Sequence, residues 1–293
     1  MIVHSYTKKM KSVNEPGIVH PGFGDFLRGS ICLYQYCQIF NLPLYLSFVD
    51  HPMGIFLKKP NGFDQKVVQE IESSELYEYP IPHPVYNFFK LDKKNTEVDE
   101  IITRRGFIKV ITNSWPEAPI TKPCQDYITN FLQPSDELND ELSSLQIPSD
   151  YTVIHIRLGD RFMINCPDAW IHLKRDNINE EIIEFVHQTI KDTIKETNIL
   201  ILSDCLIKNK LHERYGYLIT ENTPIHLLGS KLETISPNMF KETLLDFFII
   251  SKAKKIYQLS SYAWGSGFSD RCHDLYNIPI YRLLLPGSFN AQY

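Results

Sequence analysis

The sequence lacks any hydrophobic run of the about 18 residues that a transmembrane helix needs. Its first 17 residues also lack the apolar core of a secretory signal peptide. Basic residues are too few for a nucleic-acid-binding face, because 30 Lys and Arg stand against 35 Asp and Glu, for a formal net charge of −5. We therefore expect no transmembrane segment and no nucleic-acid partner.

The cysteines show no metal-site spacing. None of the six cysteines forms a Cys-x-x-Cys pair, and most lie in apolar stretches. This pattern favours buried, reduced thiols over disulfides or zinc ligands. The sequence also contains no Asn-x-Ser/Thr glycosylation site. These absences together predict a cytoplasmic protein.

Three motifs of nucleotide-binding and metal enzymes are missing from the chain. There is no P-loop lysine motif, no His-Glu-x-x-His and no Asp-x-Asp pair. Because no Asp-x-Asp pair is present to carry a divalent ion, we expect no metal site and no cofactor.

The length of the chain, 293 residues, is sufficient for two domains. Residues 132–150 are polar and acidic and contain Pro134 and Pro148, which predicts a linker. We expect an N-terminal α/β domain at residues 1–145 and a C-terminal Rossmann-like domain at residues 146–293.

Strand and helix patterns alternate in the second half of the chain. The predicted strands are residues 152–157, 198–204, 217–220, 254–261 and 278–283, and the predicted helices are residues 179–196, 208–216, 238–253 and 269–277. Asn179 is a predicted helix cap, and Gly216 a predicted helix end. This alternation predicts the α/β class, with a parallel sheet covered by helices on both faces.

The first half is less regular but begins in the same way. A strand is predicted at residues 17–20, a glycine turn at 21–25, a helix at 26–40, and further strands at 42–48 and 106–115. Two α/β halves that face each other would leave a cleft, which is the usual place for a ligand.

The stretch YTVIHIRLGDRF, residues 151–162, begins as a predicted buried strand but contains ionisable side chains. His155 and Arg157 are two residues apart, so they point to the same face of that strand. Functional side chains gather at the carboxyl ends of strands in parallel sheets. A buried arginine needs an anion, and from the residues alone this is either a structural carboxylate such as Asp160 or a ligand phosphate.

Three further features could bind a nucleotide. Gly22 and Gly24 lie where a strand passes into a helix, so they either form a tight turn or let backbone N–H groups approach a diphosphate. Asp246 lies inside an apolar helical stretch, so it is either exposed or locally capped, or it accepts from the adjacent N1–H and N2–H donors of guanine. The next strand ends in Ser260 and Ser261, a pair that predicts an anion cradle.

In this order, the features resemble the GDP-fucose-dependent fucosyltransferases of the α1,2/α1,6 and protein O-fucosyltransferase superfamily. The matching motifs are the Gly-Phe-Gly turn, His-x-Arg-x-Gly-Asp from His155, and Leu-Asp-x-x-x-x-Ser around Asp246, followed by the Ser-Ser strand end. The resemblance covers residues 151–275 well and residues 17–48 more loosely. It implies a GT-B fold, in which two Rossmann-like domains face each other across a donor-binding cleft.

The resemblance also implies an activity and residue roles. The activity is an inverting transfer of fucose from the nucleotide-sugar donor GDP-fucose to a carbohydrate acceptor. Arg157 matches the arginine that binds the β-phosphate of the donor. His155 matches the histidine near the guanosine, and Asp246 matches the aspartate that reads guanine.

Other positions match more generally. Ser260 and Ser261 match the hydroxyl and amide pair at the diphosphate, and Gly22 and Gly24 match the first-domain glycine loop. The sequence departs from many α1,2/α1,6 members, because Leu158 stands where they have a second arginine. This brings the chain nearer to the protein O-fucosyltransferase pattern and leaves the acceptor class and the sugar open.

An inverting transfer also needs a base for the acceptor hydroxyl. Asp25 and Asp160 both leave glycine-bearing turns, and we expect Asp25 to be the better base candidate and Asp160 to support Arg157. Glu117 could reach the same place from the first half of the chain. Two other functions stay open, a non-catalytic nucleotide-sugar or glycan-binding module and a dinucleotide-dependent oxidoreductase, although Gly29 falls one residue late for the glycine spacing of the latter.

Overall fold

A computed structural model describes residues 1–6, 22–49, 51–59, 65–74, 89–159, 162, 177–222 and 236–285. The described residues form two compact units, one up to Asn139 and one from Asp140 onward. Each unit contains a sheet in which every strand pair is parallel. The predicted α/β class is confirmed by these two sheets.

The first unit has a three-stranded sheet. Its strands are β1 (Ile2–Ser5), β2 (Leu44–Ser47) and β3 (Ile108–Val110), in the order β2-β1-β3. Its described helices are α1 (Phe23–Ile39), α2 (Gln65–Ser73), α3 (Thr96–Arg105) and α4 (Lys122–Phe131), with a 3-10 helix at Pro52–Phe56. Most of α1 is buried, as its apolar sequence predicts.

Three expectations for the first half need correction or fall outside the structure. The helix predicted from residue 26 begins at Phe23, so Gly24 lies in its first turn and not in the turn before it. The strand predicted at residues 17–20 lies outside the described residues, whereas β1 was not predicted. The predicted linker contains a helix, α5 (Asp136–Ser144). Asp136 and Glu137 lie in its first turn, where their negative charges interact favourably with the helix dipole and stabilise the helix.

The second unit has a five-stranded sheet. Its strands are β4 (Thr152–Arg157), β5 (Ile199–Ser203), β6 (Leu218–Ile219), β7 (Lys255–Ser260) and β8 (Ile280–Leu284), in the order β6-β5-β4-β7-β8. The helices described between them are α6 (Glu180–Thr193), α7 (Ile207–Tyr215), α8 (Pro237–Ser251) and α9 (Gly267–Tyr276). These elements confirm the predicted alternation.

Hydrophobic packing fixes which way β4 faces. Ile154, Ile156 and Leu158 join a buried cluster with residues of α6 and α7. Each such buried aliphatic side chain contributes about 1.5–3 kcal/mol to folding. Since side chains alternate along a strand, this packing turns His155 and Arg157 to the opposite face.

Local capping agrees with the sequence. The Asn179 side chain accepts a hydrogen bond from the Ile182 N–H at 2.9 Å and caps α6. Gly216 ends α7 in the left-handed conformation. Both predicted helix signals are confirmed.

The described residues bear on two expectations from the sequence, which concern transmembrane helices and the state of the cysteines. In the part of the chain that the structure describes, no helix combines the length and the hydropathy that crossing a bilayer requires. The described cysteines are all buried free thiols, as predicted, and they are Cys32, Cys37, Cys124, Cys205 and Cys272.

Candidate functional site

The candidate site lies where the central strands of the second unit end. β4 lies between β5 and β7, with Ile156 opposite Ser203 and Arg157 opposite Ser260. The three carboxyl ends therefore form one edge, at which Arg157, Asp204 and the Ser260–Ser261 pair come together. Sequence reasoning placed the arginine and the serines at this edge.

Arg157 and Asp204 form an ion pair at this edge. Both side chains are largely buried, with 11% and 15% of their surface exposed. Sequence reasoning missed Asp204, although an aspartate directly after the buried ILILS strand is the available signal. The expected structural partner, Asp160, lies outside the described residues. Arg157 is thus held by a carboxylate of the neighbouring strand.

Ser260 and Ser261 shape the turn after β7. The Ser260 hydroxyl accepts from the Tyr262 N–H at 3.0 Å and donates to the Gly265 carbonyl at 3.4 Å. The Ser261 hydroxyl donates to the Leu158 carbonyl at 2.7 Å, which ties this turn to the end of β4. Both hydroxyls bond to backbone groups of this turn or of the end of β4, so they fix the conformation of the turn next to Arg157.

The helix that follows this turn offers backbone donors. Within the part of the chain that the structure describes, no side chain caps the N-terminus of α9, whose cap position is Ser266. The first N–H groups of a helix have no intrahelical partner, and the helix dipole adds positive potential there. The carboxyl edge of the sheet therefore combines the guanidinium of Arg157 with a helix N-terminus, two groups that suit a diphosphate.

His155 lies deeper on the same face of β4. Its Nδ1 lies 2.9 Å from the Ser269 hydroxyl, which also accepts from Gln258 Nε2 at 2.7 Å. Burial, and to a lesser extent the positive charge of Arg157, lower the pKa of His155 to about 3. The imidazole is neutral at physiological pH. If the serine donates to Nδ1, the ring proton is on Nε2 and makes that atom a donor.

Asp246 belongs to a separate buried cluster. It lies in α8 and is 2% exposed, so the exposed-position reading is wrong. Its Oδ1 accepts from Asn222 Nδ2 at 2.8 Å and from Thr220 Oγ1 at 3.4 Å. Burial raises the pKa of this carboxyl, the charge of Lys208 and these hydrogen bonds oppose the rise, and the net pKa is about 6. Sequence reasoning did not identify Asn222, Thr220 or Lys208.

The remaining predicted residues lie in the first unit. Gly22 is the N-cap of α1, and Gly24 and Asp25 lie in its first turn. Asp25 forms a salt bridge with Arg28 at 2.9 Å, and the Arg28 guanidinium lies 4.2 Å from the centre of the Trp115 ring. The base candidate Asp25 thus has a cationic partner on its own helix.

Glu117, the third base candidate, also has a local contact. One of its carboxylate oxygens accepts from the Leu91 N–H at 2.9 Å. This bond ties the loop after β3 to the segment before α3, which is a positioning role within the first unit.

A pocket of about 290 Å³ lies elsewhere in the first unit, around α2, α3 and β3. Its lining includes Ile101, Phe107 and Lys109, together with Arg105 and Glu70. None of the predicted site residues lines it. Over the described ranges, no group of three or more His, Cys, Asp and Glu side chains is arranged to hold a metal ion.

Each of the two units has the α/β architecture with a parallel sheet, and the chain shares the fold of GT-B glycosyltransferases. The chain is similar to NodZ alpha-1,6-fucosyltransferase co-crystallised with GDP, with 12% sequence identity, a TM-score of 0.53, and coverage of 98% of this chain and 95% of that one. It is also similar to a mutant of FUT1 from Arabidopsis thaliana in complex with GDP, with 10% identity, a TM-score of 0.51, and coverage of 97% and 70%.

These likenesses concern the fold. The resemblance to GDP-fucose-dependent fucosyltransferases, which the motifs indicated, is confirmed at that level. No protein-family model matches the sequence, and no curated protein matches it either.

Proposed function

We propose that this chain is an inverting glycosyltransferase that transfers fucose from GDP-fucose to a glycan acceptor. One observation carries the proposal: Arg157 and the uncapped N-terminus of α9 lie at one edge of a parallel sheet. The shared fold with two fucosyltransferases crystallised with GDP supports a guanine nucleotide as the ligand.

In this proposal, Arg157 acts on the leaving group. Negative charge builds on the β-phosphate as the bond between the sugar and GDP breaks. A fixed guanidinium stabilises that charge more in the transition state than in the ground state. The N-terminus of α9 contributes further donors, and these groups together take the place of a divalent ion.

The base role stays with Asp25 as a proposal, and Asp160 stays the proposed support of Arg157. The acceptor hydroxyl loses its proton to the base while its oxygen bonds to the anomeric carbon, and GDP leaves from the opposite face. We expect Asp25→Asn to lower kcat and to leave the donor KM nearly unchanged. Asp126→Asn, which removes another ion-paired aspartate of the first unit, is the matched control.

The test has a binding arm and a transfer arm. GDP and GDP-fucose should raise the melting temperature of the purified protein, whereas UDP- and CMP-sugars should not.

Transfer is then measured as release of GDP in the presence of a glycan library. Arg157→Ala should lower transfer by at least about 10²-fold. Arg214→Ala, which removes an exposed ion-paired arginine, should leave transfer unchanged. Stabilisation by UDP-sugars alone would contradict the proposal.

A second function, binding of a nucleotide sugar or glycan without transfer, is favoured by one observation. The carboxylate of Asp25 is already engaged by Arg28, so a dedicated base is not evident among the described residues. Slow hydrolysis of GDP-fucose by the purified protein, with water as the acceptor, would show that the protein is an enzyme and not only a binding module.

The compartment is part of the proposal as well. The buried free thiols support a reducing environment such as the cytoplasm. The carbohydrate acceptor would be met there or at a surface facing that compartment.

A further inference from the structure

Lys208 in α7 is buried to an extent that lysine side chains almost never reach. Only 1% of the residue is exposed. Its ammonium group donates a hydrogen bond to the backbone carbonyl of Asn222. Burial lowers the pKa of Lys208, and the charge of Asp246 is the largest influence that raises it again. A buried ammonium is costly, so its location beside one carboxylate requires an explanation.

Asn222 connects this lysine to Asp246. The backbone carbonyl of Asn222 binds Lys208, and its side-chain amide donates to Asp246 Oδ1 at 2.8 Å. Thr220 donates to the same oxygen at 3.4 Å. Among the described residues, no donor to the second oxygen, Oδ2, is found. The carboxylate is therefore fixed through one oxygen and can accept through the other.

Among the described residues, the charges that act on Asp246 come from two helices. α7 contributes Lys208, which favours the ionised carboxylate, and α8 contributes Glu242, which disfavours it. Among the described residues of the segment after β6, the neutral donors Thr220 and Asn222 also favour the ionised carboxylate. Burial raises the pKa of Asp246, Lys208 has the largest opposing effect, and the net value is about 6. The carboxylate is mainly ionised at neutral pH as a result, and an ionised carboxylate only accepts hydrogen bonds.

We propose that Lys208, acting through Asn222, is a positioning residue for Asp246 and sets the preference of this carboxylate for a base that presents adjacent N–H donors, as guanine does. The inference rests on the proposed function, because that function supplies the guanine nucleotide. Guanine presents N1–H and N2–H on one edge, whereas hypoxanthine presents N1–H alone and uracil a different edge. The lysine thereby governs base selectivity without touching the base.

The experiment measures the affinities of GDP, IDP and UDP by calorimetry at about pH 6.5 and about pH 8.5. Lys208→Met keeps the length of the side chain and removes its charge. Without that charge the carboxyl group protonates near neutral pH, so GDP affinity should fall about tenfold at the lower pH and recover at the higher one. The preference for GDP over IDP should fall and recover in parallel, while UDP binding stays unchanged. Lys208→Arg should retain the wild-type behaviour.

A second variant, Asn222→Ser, tests the inference independently if Lys208→Met does not fold. Asn222→Ser keeps the backbone carbonyl that Lys208 binds and removes the amide that holds Asp246. It should reduce the preference for GDP over IDP and leave UDP affinity unchanged. Circular dichroism of both variants checks that the fold is intact.

The outcomes separate this inference from the proposed function. A wild-type protein that does not bind GDP would contradict the proposed function itself. Wild-type GDP binding, with equal losses for GDP, IDP and UDP at both pH values in Lys208→Met, would show a purely structural lysine and overturn the inference. Unchanged selectivity in both Lys208→Met and Asn222→Ser would overturn it as well.

Discussion

The guanidinium of Arg157 forms an ion pair with the carboxylate of Asp204, joining the end of β4 to the residue that follows β5. The pair is largely shielded from water, so Asp204 offsets part of the cost of burying the guanidinium. In the proposed transferase, the same guanidinium binds the donor β-phosphate. Asp204 would then orient the arginine as well as balance its charge.

This pair predicts that stability and donor binding respond differently to substitution. Arg157→Ala leaves Asp204 largely buried without this cation and should lower the free energy of unfolding by about 3 kcal/mol. The double variant Arg157→Ala, Asp204→Ala should recover most of that loss. Neither variant should bind GDP at the wild-type affinity, because both lack the guanidinium. Denaturant titration and calorimetry measure the two effects, and recovery of GDP affinity in the double variant would show that the arginine is only structural.

A second prediction concerns the turn after β7. Gly265 has a φ of 79°, and a β-carbon there would come within 1.9 Å of the Gln258 side-chain oxygen. Gly216 has a φ of 72° but open space around it. Gly216→Ala should cost the backbone strain alone, about 1–2 kcal/mol, and Gly265→Ala should cost clearly more. Because Gln258 is buried and bonded to Ser269, it cannot move aside freely. Equal losses in denaturant titrations would contradict the predicted clash.

Acid should destabilise the second unit through His155. Its pKa of about 3 in the folded chain lies below the unfolded value of 6.5, so only the unfolded chain takes up a proton between these values. The stability that His155 contributes is therefore complete above about pH 6.5 and is lost by about 1.4 kcal/mol per pH unit below it.

His155→Gln should accordingly flatten the decline of the unfolding free energy between about pH 7.5 and about pH 5.5. Chemical denaturation at the two pH values measures the slope. His212→Gln, which changes an exposed histidine, is the control and should keep the wild-type slope. A wild-type slope in His155→Gln would mean that other groups carry the acid sensitivity.

Transfer should not require a divalent metal ion. In the proposed site, Arg157 and the N-terminus of α9 supply the positive potential that a metal ion supplies elsewhere. We expect turnover in excess EDTA to equal turnover without it, as measured by GDP release. Complete loss of turnover in EDTA that a single metal restores would show that these groups are insufficient.

The sequence by itself determined what depends on local periodicity and local chemistry. The alternation of strands and helices after residue 150 predicts the parallel sheet, and the spacing of His155 and Arg157 predicts that they share a face. The Asn179 cap and the Gly216 helix end follow from side-chain and backbone preferences of single residues. These features need no knowledge of which elements become neighbours.

Only the tertiary structure decided which residues meet. Asp204 reaches Arg157 because β5 lies beside β4 in a register that aligns their ends, and no local pattern specifies that pairing. Lys208, Asn222 and Asp246 come from α7, the segment after β6, and α8, and their contact depends on how these elements pack. The physical reason is that periodicity determines the face on which a side chain lies, whereas its partner is set by long-range packing and strand order.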